Sequence, residues 1–368
     1  MRKYLILLPL LSLLISCSEG SGVSSEPFGR LSTGEEISLL PLENKSGAYV
    51  DLTDYGARLL RVVVPDREGK LADVTVGYAN LDSLERGKER FIGCTIGRFG
   101  NRINNASFTL DGVTYNLEAN ENRAGVPVQC HGGPQGFDRK VWDYTIIQEN
   151  GRCGVRFHYL SPDGEQGYPG NCDCHVTYWW SDNNALRIEY EATTDKPTVI
   201  NLSNHTYFNL KGDEAGYVLD HELYVACDTC IIMNPQDCPD SLISVEGTEY
   251  DYRTLRRMDK NGLGPRGISA SWLIRDWNGE EKMIAELYEP TSGRFVETWS
   301  TEPCLLTWSA AGMKGISVGK FGPMEKFCGM LLETIHVPDS PNQSRFPGTV
   351  LRPGERYHSS TEYRFGVR

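Results

Sequence analysis

The sequence predicts an all-β fold, a large antiparallel β-sandwich with few short helices. Three observations predict it: apolar and polar residues alternate strictly in several runs, tight-turn signals separate such runs, and 38 Gly and 19 Pro are scattered through the 368 residues. Along the chain, the first element is the exception. Asn80 precedes Leu81 and Leu84, which share one helical face, and Gly87 marks the stop. Next, Phe108-Thr109-Leu110 and Val113-Thr114-Tyr115 flank Asp111-Gly112, the strongest short hairpin signal a sequence offers. Val155, Phe157 and Tyr159 alternate with Arg156 and His158, and Leu186, Ile188 and Tyr190 with Arg187, Glu189 and Glu191, as half-buried strands do. A second hairpin joins Ile284 to Tyr288 with Arg294 to Trp299 through Glu289-Pro290-Thr291-Ser292-Gly293. No Ser/Gly/Pro linker interrupts residues 28–368, so one domain is expected there.

Composition narrows the function. The chain holds 37 Lys plus Arg against 49 Asp plus Glu, a net charge of -12, and 39% hydrophobic residues. That is enough apolar material for a sizeable core, and the acidic balance argues against nucleic acid or an anionic lipid surface as partner. Neutral small molecules remain. Arg2 and Lys3 precede an apolar run from Tyr4 to Ile15, the layout of an export signal and too short to span a bilayer. Leu14-Ile15-Ser16-Cys17 resembles the cleavage box of bacterial lipoproteins, so residues 1–17 are expected to be a signal ending at a lipidated Cys17, followed by a tether over 18–27. An exported, membrane-anchored protein is expected, touching the membrane only through that lipid. Of the other ten cysteines, Cys172, Cys174, Cys227 and Cys230 invite comparison with zinc knuckles, but they lie in strand-like stretches far apart, which favours buried thiols or one or two disulfides.

The motifs for nucleotide binding, zinc proteolysis and serine hydrolysis are missing, which leaves acid/base and sugar chemistry. Arg102, between Asn101 and apolar Ile103, is placed to turn a fork of donors inward. His131 precedes Gly132-Gly133-Pro134, a turn bare enough for close ligand approach. His205 stands in a strand-like run with Asn204 and Tyr207, where a core histidine is the common alternative to a functional one. Glu333 follows Met330-Leu331-Leu332, so its carboxylate leaves a buried strand where ionisation is costly.

Together these segments resemble the aldose 1-epimerase (galactose mutarotase) family. The motifs are Gly97-Arg98-x-x-Asn101-Arg102-Ile103, His131-Gly132-Gly133-Pro134-x-Gly136-Phe137-Asp138, Asn204-His205-x-Tyr207-Phe208-Asn209-Leu210, Gly247-Thr248-x-Tyr250-Asp251-Tyr252-Arg253 and Leu332-Glu333-Thr334-x-His336-x-Pro338-Asp339. The resemblance implies a mutarotase-type β-sandwich and a cofactor-independent isomerase that interconverts the anomers of a free aldose, a hexose such as galactose or glucose or a related sugar. It implies Glu333 as base toward the C1 hydroxyl and His205 as acid toward the ring oxygen, with Arg102, Asn101, His131 and Ser269 around the sugar. Two departures stand out: Ser269 occupies the place of a family Asp, and Leu306 that of a family Gln. A non-catalytic carbohydrate-binding lipoprotein and a glycoside hydrolase using Asp339 as a second carboxylate are the alternatives.

Overall fold

The alternating runs fold as strands with the expected faces. The computed structural model describes residues 15–18, 21–149, 152–213, 216–260, 267–315 and 318–368. Val155, Phe157, Leu186, Ile188 and Tyr190 are buried, whereas Arg156, His158, Arg187, Glu189 and Glu191 lie on the outer face. They belong to a nine-stranded sheet ordered Asp143–Glu149, Arg152–Ser161, Cys172–Trp180, Ala185–Thr194, Tyr357–Val367, Arg294–Ser300, Lys282–Tyr288, Glu222–Val225 and Arg256–Arg257. Its neighbouring strands pair antiparallel throughout.

Both expected hairpins form. Leu110 pairs with Val113 across Asp111 (φ 50°) and Gly112 (φ 82°), two left-handed residues whose twist matches that of the flanking strands. Lys282–Tyr288 pairs with Arg294–Ser300 across the Glu289–Gly293 loop. The helix is Leu81–Arg86: Asn80 accepts the Ser83 N–H, the Ser83 hydroxyl meets the Asn80 backbone, and Leu81 and Leu84 are buried.

A second, seven-stranded sheet positions the site. Its order is Pro239–Ser244, Cys227–Met233, Ser269–Ile274, Cys304–Trp308, Met330–Ile335, Tyr207–Phe208 and Thr75–Val76. Cys230, Trp272, Leu305 and Thr334 form one cross-strand row. This row faces the nine-stranded sheet: the Thr334 hydroxyl bonds that of Thr361, and Tyr363 donates its hydroxyl to the Leu332 carbonyl at 2.9 Å. The shared core includes Trp272, Leu305, Met330, Leu332, Tyr178, Ile188 and Tyr363. Because successive strand residues point to opposite faces, the next row, Ile231, Ser271, Leu306 and Glu333, is turned away from that core.

Residues 1–14, most of the expected leader, lie outside the described residues, as does the side chain of Cys17. Within the segment expected as a tether, Ser21–Val23 and Glu26–Arg30 instead pair with Glu36–Glu43, and Val23 is fully buried. The Ser/Gly/Glu composition of the stretch conceals that single apolar anchor. Cys172, Cys174, Cys227 and Cys230 are buried free thiols. Two lie on each sheet, and they form no common ligand group.

Candidate active site

The strand Met330–Ile335 is buried along its whole length, so no polar alternation reveals which way Glu333 points. Its register settles the matter. With Leu332 and Thr334 committed to the core, Glu333 faces a cleft of about 720 Å³ floored by the second sheet and walled by the loops that carry Phe91, Asn101 and His131. His205 lines the same cleft. Its backbone is clamped on both sides, donating to the Cys94 carbonyl at 3.0 Å and accepting from Gly93 at 2.8 Å, and its ring packs against those of Phe91, His131 and Tyr207. Glu333, His205, Arg102, Asn101, His131 and Ser269, the six residues expected to act on a sugar, all line this one cavity.

The electrostatics of the central pair follow from burial. Neither oxygen of Glu333 has a hydrogen-bond partner, and neither does Nδ1 of His205. Desolvation pushes the Glu333 carboxyl up to about 8, with the Arg102 charge pulling weakly the other way. Desolvation also pushes the His205 imidazole down to about 3. At neutral pH the pair therefore holds one titratable proton, and it sits on Glu333.

His131 plays a different part. Its Nδ1 accepts the Asn101 backbone N–H at 3.1 Å, which places the ring proton on Nε2 as a fixed donor. Burial, reinforced by the His205, Arg102 and Arg90 charges, holds its pKa well below the ordinary histidine value, so it remains neutral. Its ring meets His205 edge-on at 4.9 Å. The turn that presents it is fused to the neighbouring loop: a Cβ on Gly132 (φ 81°) would sit 1.8 Å from the Gly97 carbonyl oxygen. Arg90 ties this turn down, donating to both oxygens of Asp138 at 2.6 and 2.7 Å and to the carbonyls of Pro134 and Gly133.

The arrangement is a buried acid, a buried imidazole and a neutral imidazole donor around one small-molecule cleft. The family model for aldose 1-epimerase matches residues 38–364. The chain belongs to the aldose 1-epimerase family. The aldose 1-epimerase of Escherichia coli is 35% identical over 341 residues, covering 90% of this chain and 96% of that protein. The galactose mutarotase of Rattus norvegicus is 35% identical over 322 residues, covering 86% and 91%. Among solved structures, an aldose epimerase homologue from C. elegans superposes with a TM-score of 0.81 at 26% identity, covering 90% of this chain and 99% of its own. A galactose 1-epimerase from Lactobacillus acidophilus shares the fold, with a TM-score of 0.79 at 23% identity, covering 94% and 98%.

In this aldose 1-epimerase several cleft residues escape a reading of sequence. Glu121 takes Arg102 in a two-point ion pair, Nε at 2.8 Å and Nη2 at 3.3 Å, and also binds Arg123. Burial raises the Glu121 carboxyl, but the hydrogen bonds from Arg123 and Arg102 outweigh it and hold it at about 2. The Arg102 fork thus points into the cleft as expected, but much of it is already engaged. Glu121-Asn122-Arg123 reads as a solvated turn, which hid its role. Glu89 also lines the cleft, with burial holding its carboxyl above the ordinary range. Asp339, by contrast, is a turn residue (φ 58°): one oxygen accepts from the Asn104 N–H at 3.0 Å and the Asn342 amide at 2.7 Å, and the carboxylate does not line the cleft. It offers a hydrolase no second carboxylate. Of the two departures, Ser269 stands exposed at the cleft, and Leu306 lies directly across the strand pair from Glu333.

Proposed function

We propose that Glu333 and His205 are the acid–base pair by which this aldose 1-epimerase opens and recloses a sugar ring. The observation that carries the reading is that both groups are buried on one cleft with the oxygens of Glu333 and Nδ1 of His205 unpartnered, a costly state that a bound sugar would relieve. As the C1 hydroxyl donates to the carboxylate and the ring oxygen accepts from the imidazolium, the pair's single proton moves from Glu333 to His205. Glu333 then takes the hydroxyl proton while His205 protonates the ring oxygen, and the C1–O5 bond breaks to an open aldehyde. Rotation about C1–C2 and the reverse transfers give the other anomer and restore both groups. His131 Nε2–H and Arg102 steady charge developing on the sugar oxygens. No cofactor enters these steps.

Polarimetry of freshly dissolved α-glucose or α-galactose is expected to show accelerated mutarotation. The rate should hold level through mildly acidic and neutral pH and fall above about pH 8, where the pair loses its one proton from Glu333. The lower limb lies near the value of about 3 for His205. A rate that rises through pH 8, or no acceleration with any aldose, would remove the pair from this role.

We further propose that Ser269 and Leu306 shift the sugar preference. An apolar side chain beside Glu333 leaves a buried hydroxyl unpaired, which disfavours a fully hydroxylated hexose relative to a deoxy sugar, a pentose or an oligosaccharide reducing end. Rates over glucose, galactose, xylose and fucose test this, and a plain galactose preference refutes it. The leader pattern supports an exported enzyme anchored at Cys17. Labelled palmitate should enter the protein in a lipoprotein-processing host and be lost in Cys17→Ser; equal labelling of both proteins would refute the anchor.

A further inference from the structure

The outer face of the nine-stranded sheet carries a cluster that sugar chemistry does not use. His158 and His175 are directly opposed on neighbouring strands, and their rings stack with centroids 4.7 Å apart and planes 21° from parallel. Asp173, two residues before His175 and so on the same face, reaches back between them. Its Oδ1 lies 2.6 Å from His158 Nε2 and 3.6 Å from His175 Nε2. One donor atom from each of the three falls within 4.8 Å of the others, the only such group of three among the described residues. The side chains are 38%, 27% and 47% exposed for His158, His175 and Asp173, which leaves a path for an ion and room for water ligands.

We propose that His158, His175 and Asp173 form a binding site for one divalent cation of borderline softness, the class of Zn²⁺, Ni²⁺ and Co²⁺. Two imidazoles and one carboxylate suit that class, whereas Mg²⁺ and Ca²⁺ prefer an all-oxygen shell. The surroundings supply orientation. The exposed Asp143 carboxylate lies 4.0 Å from His158 Nδ1, near enough to favour a proton there once a metal has taken Nε2.

Two contacts oppose the ion: His158 Nε2 donates to Asp173 Oδ1 at 2.6 Å, a proton that must leave before a metal can sit between them, and Arg156 holds His175. The Arg156 Nε donates to His175 Nδ1 at 3.3 Å, which keeps the ring proton on Nε2, the atom the metal needs. Binding therefore requires Arg156 to swing away, and Glu191, which already accepts from its Nη2 at 3.1 Å, is there to hold it. The bound ion would cross-link the second and third strands of the nine-stranded sheet.

Calorimetric titration of the full chain with Zn²⁺ should give one site, and Co²⁺ should give a visible spectrum without the thiolate charge-transfer bands that the buried cysteines would produce. The His158→Asn, His175→Asn double substitution should weaken binding at least tenfold while leaving mutarotation unchanged, and Arg156→Gln should tighten it. Zn²⁺ binding unaltered by the double substitution, a thiolate spectrum, weaker binding by Arg156→Gln, or no binding of Zn²⁺, Ni²⁺ or Co²⁺ at 100-micromolar scale would each overturn the proposal. Mutarotation serves as an independent readout, so failure of the metal site leaves the acid–base reading untouched.

Discussion

Glu333→Gln is expected to remove about 10²–10⁴-fold of the mutarotation rate and, at the same time, to make the protein more stable at alkaline pH. The activity loss follows because an amide cannot accept the C1 hydroxyl proton. The stability gain follows from linkage. Burial raises the Glu333 carboxyl from 4.5 to about 8 in the folded chain. A raised folded pKa gives stability that is complete below about 4.5 and lost as the pH climbs through 8, since the unfolded chain ionises freely there while the fold resists. At pH 8.5 the wild type thus bears a penalty of roughly 3–5 kcal/mol at this one side chain, an upper figure because water entering the cleft would screen it. Gln, of nearly equal shape, bears none of it. Thermal melts should show the variant several degrees above wild type at pH 8.5 and level with it near pH 4.5. A variant that melts lower at both pH values would mean that the carboxylate is held by donors in the native state, contrary to its unpartnered oxygens.

The same residue marks the boundary of what the sequence discloses. Leu186, Ile188 and Tyr190 alternate with charges because one face of their strand meets water, so a period of two is written in the residues. Met330–Ile335 is buried on both sides, by the core and by the covered floor of the cleft, and shows no period, so the direction of Glu333 emerges only from its pairing with Leu306 and from Thr334 and Leu332 being tied to the opposite sheet. Asp111-Gly112 is legible because a two-residue turn demands left-handed backbone that few other pairs supply. Glu121 is not, because a carboxylate between Asn120 and Asn122 looks like any surface turn until Arg102 is folded against it. Asp138 carries the opposite lesson: it sits in the motif with His131, yet its work is to hold Arg90 and through it the turn, not the sugar. Val23 shows the limit of composition, since one buried side chain converts a tether-like stretch into strand.

His205→Asn should be the mirror image of Glu333→Gln. Asparagine can hydrogen-bond a ring oxygen but cannot deliver a proton to it, so a loss of about 10²–10⁴-fold is expected in polarimetry. The stability effect changes sign along the pH axis. Burial drives the His205 imidazole from 6.5 down to about 3, so the folded chain resists protonation and loses stability as the pH falls from 6.5 toward 3. Removing the imidazole relieves the acid side, as removing the carboxyl relieves the alkaline side, so the two variants should melt above wild type at opposite ends of the pH range. The double variant decides whether the groups work as a pair. Ring opening needs a proton withdrawn at one oxygen and supplied at the other in the same event, so losing the second partner after the first has gone costs little more. The double variant should therefore be about as slow as the slower single. Losses that multiply would show two independent contributions and would end the case for one proton shared across the cleft.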